Sequence, residues 1–360
     1  MEEFSCKTRI LSGDGAISAL AGFGKNKLFL VSDPYFTKNG WAEKIVRASG
    51  CTEVEIFDGV VPDPTVELAA EGTAKLRSFQ PELLVALGGG SAMDLAKAMA
   101  YFAKIQCLFV AIPTTSGSGS EVTDFAVLTR AHTKYPLVDP ALRPDVAILD
   151  GELLQQLPKA LIAEAGFDVL SHAVESYVAK NSGTISDLLA REAFSSAFAA
   201  LPASYAGNQG VRLKIHKAST LAGLSFTQAG LGLCHAISHA LGGVYHVPHG
   251  RLNAVLLPAV VECNAHVCGK KYAELARGAG LGGSADTIAL RNLKNGLTRL
   301  RRELELPENL MQAGIDPRSL WRNMDAIVQA AMEDPCCKTN PMAAEPFLIR
   351  RILDEVAGRV

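Results

Sequence analysis

The sequence predicts two fold types in succession: a mostly parallel α/β domain over residues 1–155, then an all-helical domain over 156–360. Three observations carry this. Strand-sized apolar runs alternate with helix-length segments through the first third of the chain, the rhythm of a parallel sheet covered on both faces. Past about residue 155 the strand signal stops. Ala-rich amphipathic stretches then follow one another, punctuated by Gly and Pro, the pattern of packed helices.

The elements read in order as follows. Buried strands are predicted at Lys27 to Asp33, Glu53 to Phe57, Leu83 to Leu87 and Leu108 to Ile112. Helices are predicted between them at Phe36 to Ala48, Thr65 to Phe79 and Ala92 to Ala103. The segment 124–149 reads as further strands or a small hairpin. Helical stretches follow at 159–179, 185–200, 211–229, 235–243, 250–267, 283–303, 320–331 and 345–357. Gly13-Asp14-Gly15 reads as a tight turn without a convincing strand before it.

Composition narrows the function classes. The chain is 48% hydrophobic and 20% charged, the make-up of a soluble globular enzyme and not of a disordered chain. Thirty-five basic residues meet 37 acidic ones, a net charge of −2. That balance gives no general attraction for nucleic acid or an anionic membrane, and neither partner is expected. Eight cysteines are scattered without a CxxC pair, so no disulfide framework is expected. The acidic start, Met1-Glu2-Glu3-Phe4, lacks the features of a secretory signal.

Two loops carry the signal for a phosphate-bearing cofactor. Gly88-Gly89-Gly90-Ser91 follows one predicted strand and opens a helix. Glycines let backbone amides approach a pyrophosphate, and the helix N-terminus adds partial positive charge. Ser91 can cap that helix or touch phosphate. Thr114-Thr115-Ser116-Gly117-Ser118 follows the next strand, where open α/β sheets bind ligands. Asp33, at the tip of the first predicted strand, suits an adenosine ribose and would repel a 2′-phosphate; it also suits a helix N-cap before Pro34.

The helical half carries the signal for a metal. Asp168 and His172 stand four apart in a helical pattern, as do His235 and His239; that spacing puts each pair on one helix face. Four of the eight histidines lie within residues 235–249. Polar groups in such apolar surroundings are costly unless paired or metal-bound. An Asp/His set without thiolates suits Fe²⁺, Zn²⁺, Ni²⁺ or Mn²⁺.

Leu87 to Lys97, Ala111 to Thr123, Gly166 to Glu175 and Gly230 to Pro258 together resemble the iron-containing alcohol dehydrogenase family in order and spacing over nearly the whole chain. Ser219 to Gly223, Gln228 to Leu233 and Lys338 to Pro341 resemble its short-chain aldehyde-reducing branch, known from bacterial microcompartments. The resemblance implies a Rossmann-like N-terminal domain and a C-terminal helical domain of the dehydroquinate synthase type, with the site in the cleft. It implies Asp168, His172, His235 and His249 as metal ligands, for Fe²⁺ first and Zn²⁺ second, and His239 as a non-ligating catalytic histidine. It implies NAD(H) bound by Asp33, Gly89, Gly90, Ser91, Thr114, Thr115, Ser118 and Lys134. Asp63 stands where some relatives carry Asn, a weaker cofactor candidate.

The implied reaction is reversible, NADH-dependent reduction of propionaldehyde or acetaldehyde to the primary alcohol. A homodimer is implied, cytoplasmic or inside a microcompartment, with an aldehyde dehydrogenase or a shell protein as partner. Two other readings stand beside this one. One is a zinc-dependent glycerol or polyol dehydrogenase of the same superfamily. The other is a non-catalytic microcompartment-associated binding protein, against which the complete ligand set and the glycine loop argue.

Overall fold

The computed structural model describes residues 4–130 and 133–358. The chain forms two compact units, one spanning Ser5–Leu157 and one running from Pro158 onward.

The first unit is built on a six-stranded, all-parallel sheet of order β1-β8-β5-β4-β2-β3. In chain order its elements are β1 (Arg9–Gly13), β2 (Lys27–Ser32), α1 (Pro34–Lys38), α2 (Trp41–Ser49), β3 (Glu53–Phe57), α3 (Val66–Phe79), β4 (Leu83–Gly88), α4 (Gly90–Ala103) and β5 (Leu108–Pro113). An antiparallel hairpin of β6 (Phe125–Arg130) and β7 (Thr133–Val138) follows, and β8 (Val146–Asp150) returns to the sheet. Alternate residues of each strand feed two cores. Phe29, Val31, Leu84, Ala86, Phe109 and Ala111 join residues of α3 and α4 on one face. Leu28, Leu30, Val85, Leu87, Val110 and Ile112 face the other way, with Ile45 of α2. Burial on both faces is why these strands are continuous apolar runs.

Three details differ from the sequence reading. A strand, β1, does precede Gly13-Asp14-Gly15, parallel to β8. It lies at the sheet edge with a largely exposed pattern, so it carries no apolar run. The helix expected over Phe36 to Ala48 is two helices, broken at Gly40, whose φ is 76°. Finally, α4 starts at Gly90 with Gly89 as its N-cap, so Ser91 lies inside the helix and does not cap it.

Strand order explains where the cofactor loops meet. From β2 the chain crosses to β3 at one edge; β4 then lies on the other side of β2. Such a reversal opens a crevice at the carboxyl ends of the two strands, where open α/β sheets take ligands. Ser32 of β2 pairs in register with Leu87 of β4, which brings Asp33 beside Gly88.

The second unit holds α5 (Lys159–Val178), α6 (Thr184–Tyr205), α7 (Arg212–Ala229), α8 (Leu233–Tyr245), α9 (His249–Gly278), α10 (Asp286–Glu303), α11 (Pro317–Glu333), α12 (Pro335–Thr339) and α13 (Pro346–Val356). Helix α5 is buried along most of its length and packs on α6, α7 and α9. Helix α9 is long and apolar enough to cross a membrane, but its most apolar window is 67% buried in this unit, as in the core helix of a globular domain. Gly250 lets α9 pass against α5: a Cβ there would collide with the backbone carbonyl of Glu164.

Candidate metal centre and cofactor loops

Three helices each bring part of one donor cluster. Asp168 and His172 lie one turn apart on α5, His235 lies in the first turn of α8, and His249 opens α9 after Pro248. The donor atoms of Asp168, His235 and His249 lie within 4.8 Å of one another. Oδ1 of Asp168 is 3.8 Å from His235 Nε2, 3.6 Å from His249 Nε2 and 3.9 Å from His172 Nδ1. Ligand atoms bound to one ion at ~2.1 Å stand about 3–4 Å apart. His172 borders the tighter trio: its ring stacks on that of His235 at 4.5 Å and on Phe226 at 4.5 Å.

The electrostatics of the cluster follow from its burial. Desolvation works against a charged Asp168, but His172, His249 and His235 outweigh it and hold the carboxyl well below the usual carboxylate range. Desolvation likewise opposes charge on His235, yet Asp168 and Glu175 raise its imidazole to about 9. His249 goes the other way: its desolvated surroundings, with the neighbouring histidines, keep it well below an ordinary histidine despite Asp168. One carboxylate therefore faces nitrogen donors of unlike basicity.

Of the predicted cofactor residues in the first unit, Asp33, Gly89, Gly90, Thr114, Thr115 and Ser118 come together around the β2/β4 crevice. Asp33 N-caps α1, accepting from Tyr35 N at 2.9 Å, and burial raises its carboxyl above the ordinary value. Its Oδ2 lies 3.7 Å from where a Cβ on Gly88 would stand. Thr114 N donates to Gly88 O at 2.9 Å, tying the second loop to the first. Cβ atoms on Gly89 and Gly90 would press on Thr115 at 3.2 Å and on Ser118 at 3.3 Å. No side chain caps the N-terminus of α4, which leaves it to an anion. The two loops thus form a bare-backbone cradle with hydroxyls along its rim. Lys134 of β7 pairs with Asp63 at 2.8 Å; Asp63 has φ 53°.

Residues 7–151 match the family model described as iron-containing alcohol dehydrogenase. Residues 162–356 match the model for the C-terminal part of the same family. The chain belongs to the iron-containing alcohol dehydrogenase family. It is 38% identical to the 1-propanol dehydrogenase PduQ of Citrobacter freundii, over 99% of this chain and 100% of that one. It is 33% identical to an NADPH-dependent butanol dehydrogenase of Clostridium saccharobutylicum, covering 98% of this chain and 97% of that one. The structure of an iron-containing alcohol dehydrogenase from Thermococcus thioreducens superposes with a TM-score of 0.91 at 33% identity, covering 98% and 99% of the two chains.

In this alcohol dehydrogenase three residues missed by the sequence reading organise the donors. Glu175 accepts His235 Nδ1 at 2.7 Å, so the other ring nitrogen, Nε2, faces Asp168. The same carboxylate accepts the backbone N–H groups of Gly232, Cys234 and His235 at 2.9, 2.6 and 3.3 Å. Asn340 takes the N–H of Leu233 at 3.2 Å. The orphan amides that open α8 are thus satisfied from other segments. Gly232 is required there: its Cβ would fall 2.7 Å from Asn340 Oδ1 and 2.8 Å from Glu175 Oε1.

Asn253, one turn into α9, donates to Asp168 Oδ1 at 2.8 Å and contacts Nε2 of His249 at 3.1 Å and of His235 at 3.3 Å. The three donor atoms therefore converge on one electropositive group, as they would on a cation. The third missed residue is Asp334, 2.8 Å from His239 Nδ1. The predicted catalytic histidine is oriented by that carboxylate and stands outside the donor trio. Glu175 and Asp334 had no local sequence signal, because each reaches its partner from a distant segment; Asn253 stands four residues after His249, one helical turn, but its bond to Asp168 spans 85 residues.

The fit to a divalent ion is good on these observations. The donors are one buried carboxylate and neutral-capable imidazoles, with a second carboxylate fixing a ring tautomer, the usual support of a ligating histidine. The fit to a dinucleotide rests on the glycine cradle and the uncapped helix end.

Proposed function

We propose that this enzyme reduces a short-chain aldehyde, propionaldehyde or acetaldehyde, to its primary alcohol with NADH, reversibly, using a ferrous ion held by Asp168, His172, His235 and His249. The observation that carries this is the convergence of Asp168 Oδ1 and the two Nε2 atoms on one point, free of thiolate. When bound, the ion supplies Lewis acidity and the nicotinamide supplies hydride.

The chain's own groups do the rest. Asp168 contributes the fixed negative charge that retains a cation. Glu175 locks the His235 tautomer, and Ser238 Oγ, 3.0 Å from His249 Nδ1, steadies the other ring. His239 holds the proton that the product oxygen takes up: its Nδ1 is committed to Asp334, so Nε2 is the nitrogen that exchanges. Gly89, Gly90 and the start of α4 receive pyrophosphate, with Thr114, Thr115 and Ser118 as hydroxyl contacts. Asp33 takes the adenosine ribose and rejects a 2′-phosphate, which favours NADH over the NADPH of the butanol dehydrogenase relative. Lys134 reaches the cofactor ribose only by sharing itself with Asp63. Consuming NADH returns NAD⁺, so an aldehyde dehydrogenase is the partner this chemistry suits, in the cytoplasm or in a microcompartment.

The test is reconstitution of the stripped, anaerobic protein with Fe²⁺ or Zn²⁺, followed by NADH oxidation with acetaldehyde, propionaldehyde, glycolaldehyde and dihydroxyacetone. Fast Fe²⁺-dependent turnover of the simple aldehydes supports the proposal. Activity confined to dihydroxyacetone with Zn²⁺ overturns it in favour of polyol chemistry.

A further inference from the structure

We infer that His239, Asp334 and Cys336 form a second cation site, selective for a thiophilic divalent ion such as Zn²⁺ or Co²⁺, whose occupation shuts the enzyme off. The donor atoms of the three residues, one nitrogen, one oxygen and one sulfur, lie within 4.8 Å of one another. Closing to the ~3–4 Å separation of ligands on one ion needs a shift of about 1 Å. All three are only partly buried, so an ion can enter without the protein opening.

Asp334 is the hub. One of its oxygens faces His239 Nδ1 at 2.8 Å; the other accepts the Cys336 N–H at 2.8 Å. The Cys336 thiol lies near this carboxylate, and burial together with the Asp334 charge holds it well above its ordinary value, so it carries its proton. Two exchangeable protons, N–H and S–H, therefore converge on a single anion, where a divalent cation replaces them. The adjacent Cys337 is committed elsewhere, its thiol donating to Ala331 O at 2.8 Å.

The donor chemistry separates this site from the first. Asp168 and its histidines offer no sulfur; the second set offers a thiolate, which favours softer ions. Binding sends the Cys336 proton to solvent and shifts the His239 proton from Nδ1 to Nε2. No electron transfer is involved. With Nδ1 on the ion, the ring keeps the single proton on Nε2, because releasing it would leave an imidazolate, and the exchange stops. The binding stands apart from the proposed reaction; the inhibition rests on it.

The experiment uses enzyme carrying one equivalent of Fe²⁺, titrated anaerobically with Co²⁺ while the iron content is monitored. The expected result is uptake of one further equivalent with iron retained, together with a sulfur-to-cobalt charge-transfer band in the near ultraviolet. Cys336→Ser keeps the first equivalent and basal turnover, and loses both the second equivalent and the band. In parallel, one added equivalent of Zn²⁺ lowers wild-type aldehyde reduction by about 10²-fold and leaves Cys336→Ser unaffected. No second equivalent, a second equivalent without the band, or a band that persists in Cys336→Ser overturns the site. A Cys336-dependent band with undiminished turnover upholds the site and removes His239 from the proposed reaction.

Discussion

The two functional regions of this enzyme are made in opposite ways. The candidate cofactor cradle of the α/β unit is mostly backbone: glycines that admit no side chain, an uncapped helix end and a strand-tip carboxylate. The candidate metal centre of the helical unit is mostly side chains, drawn from three helices, with His235 aimed by the Glu175 carboxylate of the same unit. A backbone site is specified by where chain bends are allowed. A side-chain site is specified by which distant residues hold each ligand in place. The first should fail gradually under substitution and the second abruptly.

The largest expected effect tests the abrupt side. Asp168→Ala or His249→Ala should lose metal through gel filtration and lose turnover with it, while NADH binding by fluorescence is unchanged. Metal retention in both variants would show that the donor cluster is not the metal site. Next comes Glu175→Gln, which keeps shape and removes charge: metal affinity by competition with a chelator should fall about 10–100-fold. An unchanged affinity would mean that α8 is held well enough without the carboxylate.

Asp334 sharpens the comparison through pH. Burial works against its charge, but the bond to His239 outweighs that and holds its carboxyl at about 2 instead of 3.8. A carboxyl depressed on folding stabilises the fold above its unfolded value and loses that contribution as pH falls through the folded one. The stabilisation is about 2 kcal/mol, present at pH 5 and lost between pH 4 and 2. Urea unfolding of Asp334→Asn should lack that part of the acid slope; an identical slope would assign it to other carboxylates.

The smallest effect belongs to the backbone site. Lys97 of α4 is fully buried and donates at 2.9 Å to Ser120 Oγ, Thr123 Oγ1 and Phe125 O; burial pulls its amine down to about 8 against the pull of Asp94. It braces the second cofactor loop from behind. Lys97→Met should raise KM for NADH about fivefold, roughly 1 kcal/mol, with kcat and metal content unchanged. A fall in kcat alone would show that the loop does more than bind.

The same contrast explains what was legible in advance. The interior strands could be read because burial on both faces writes them as apolar runs, whereas β1 escaped notice because its short exposed segment holds only Ile10 and Leu11 as apolar residues. The i,i+4 pairs Asp168/His172 and His235/His239 were visible because helical spacing is local. Glu175 reaches His235 across 60 residues, Asn253 reaches Asp168 across 85, and Asp334 reaches His239 across 95; no local pattern encodes such pairings. The two cofactor loops could be picked out singly, but their convergence depends on β4 lying beside β5, and that of Asp33 with them on β4 lying beside β2, a matter of strand order.

The Glu175 carboxylate, shared between three backbone amides and one imidazole, has a bearing on redesign. Where one anion sets both the starting register of a helix and the aim of a ligand that helix carries, neither can be re-engineered alone. His249, steadied on its far nitrogen by a serine hydroxyl, is the freer corner. Attempts to recruit a different metal would do best to vary position 249 together with Ser238, leaving Gly250 in place and treating Glu175, Gly232 and His235 as a cassette to be transplanted whole.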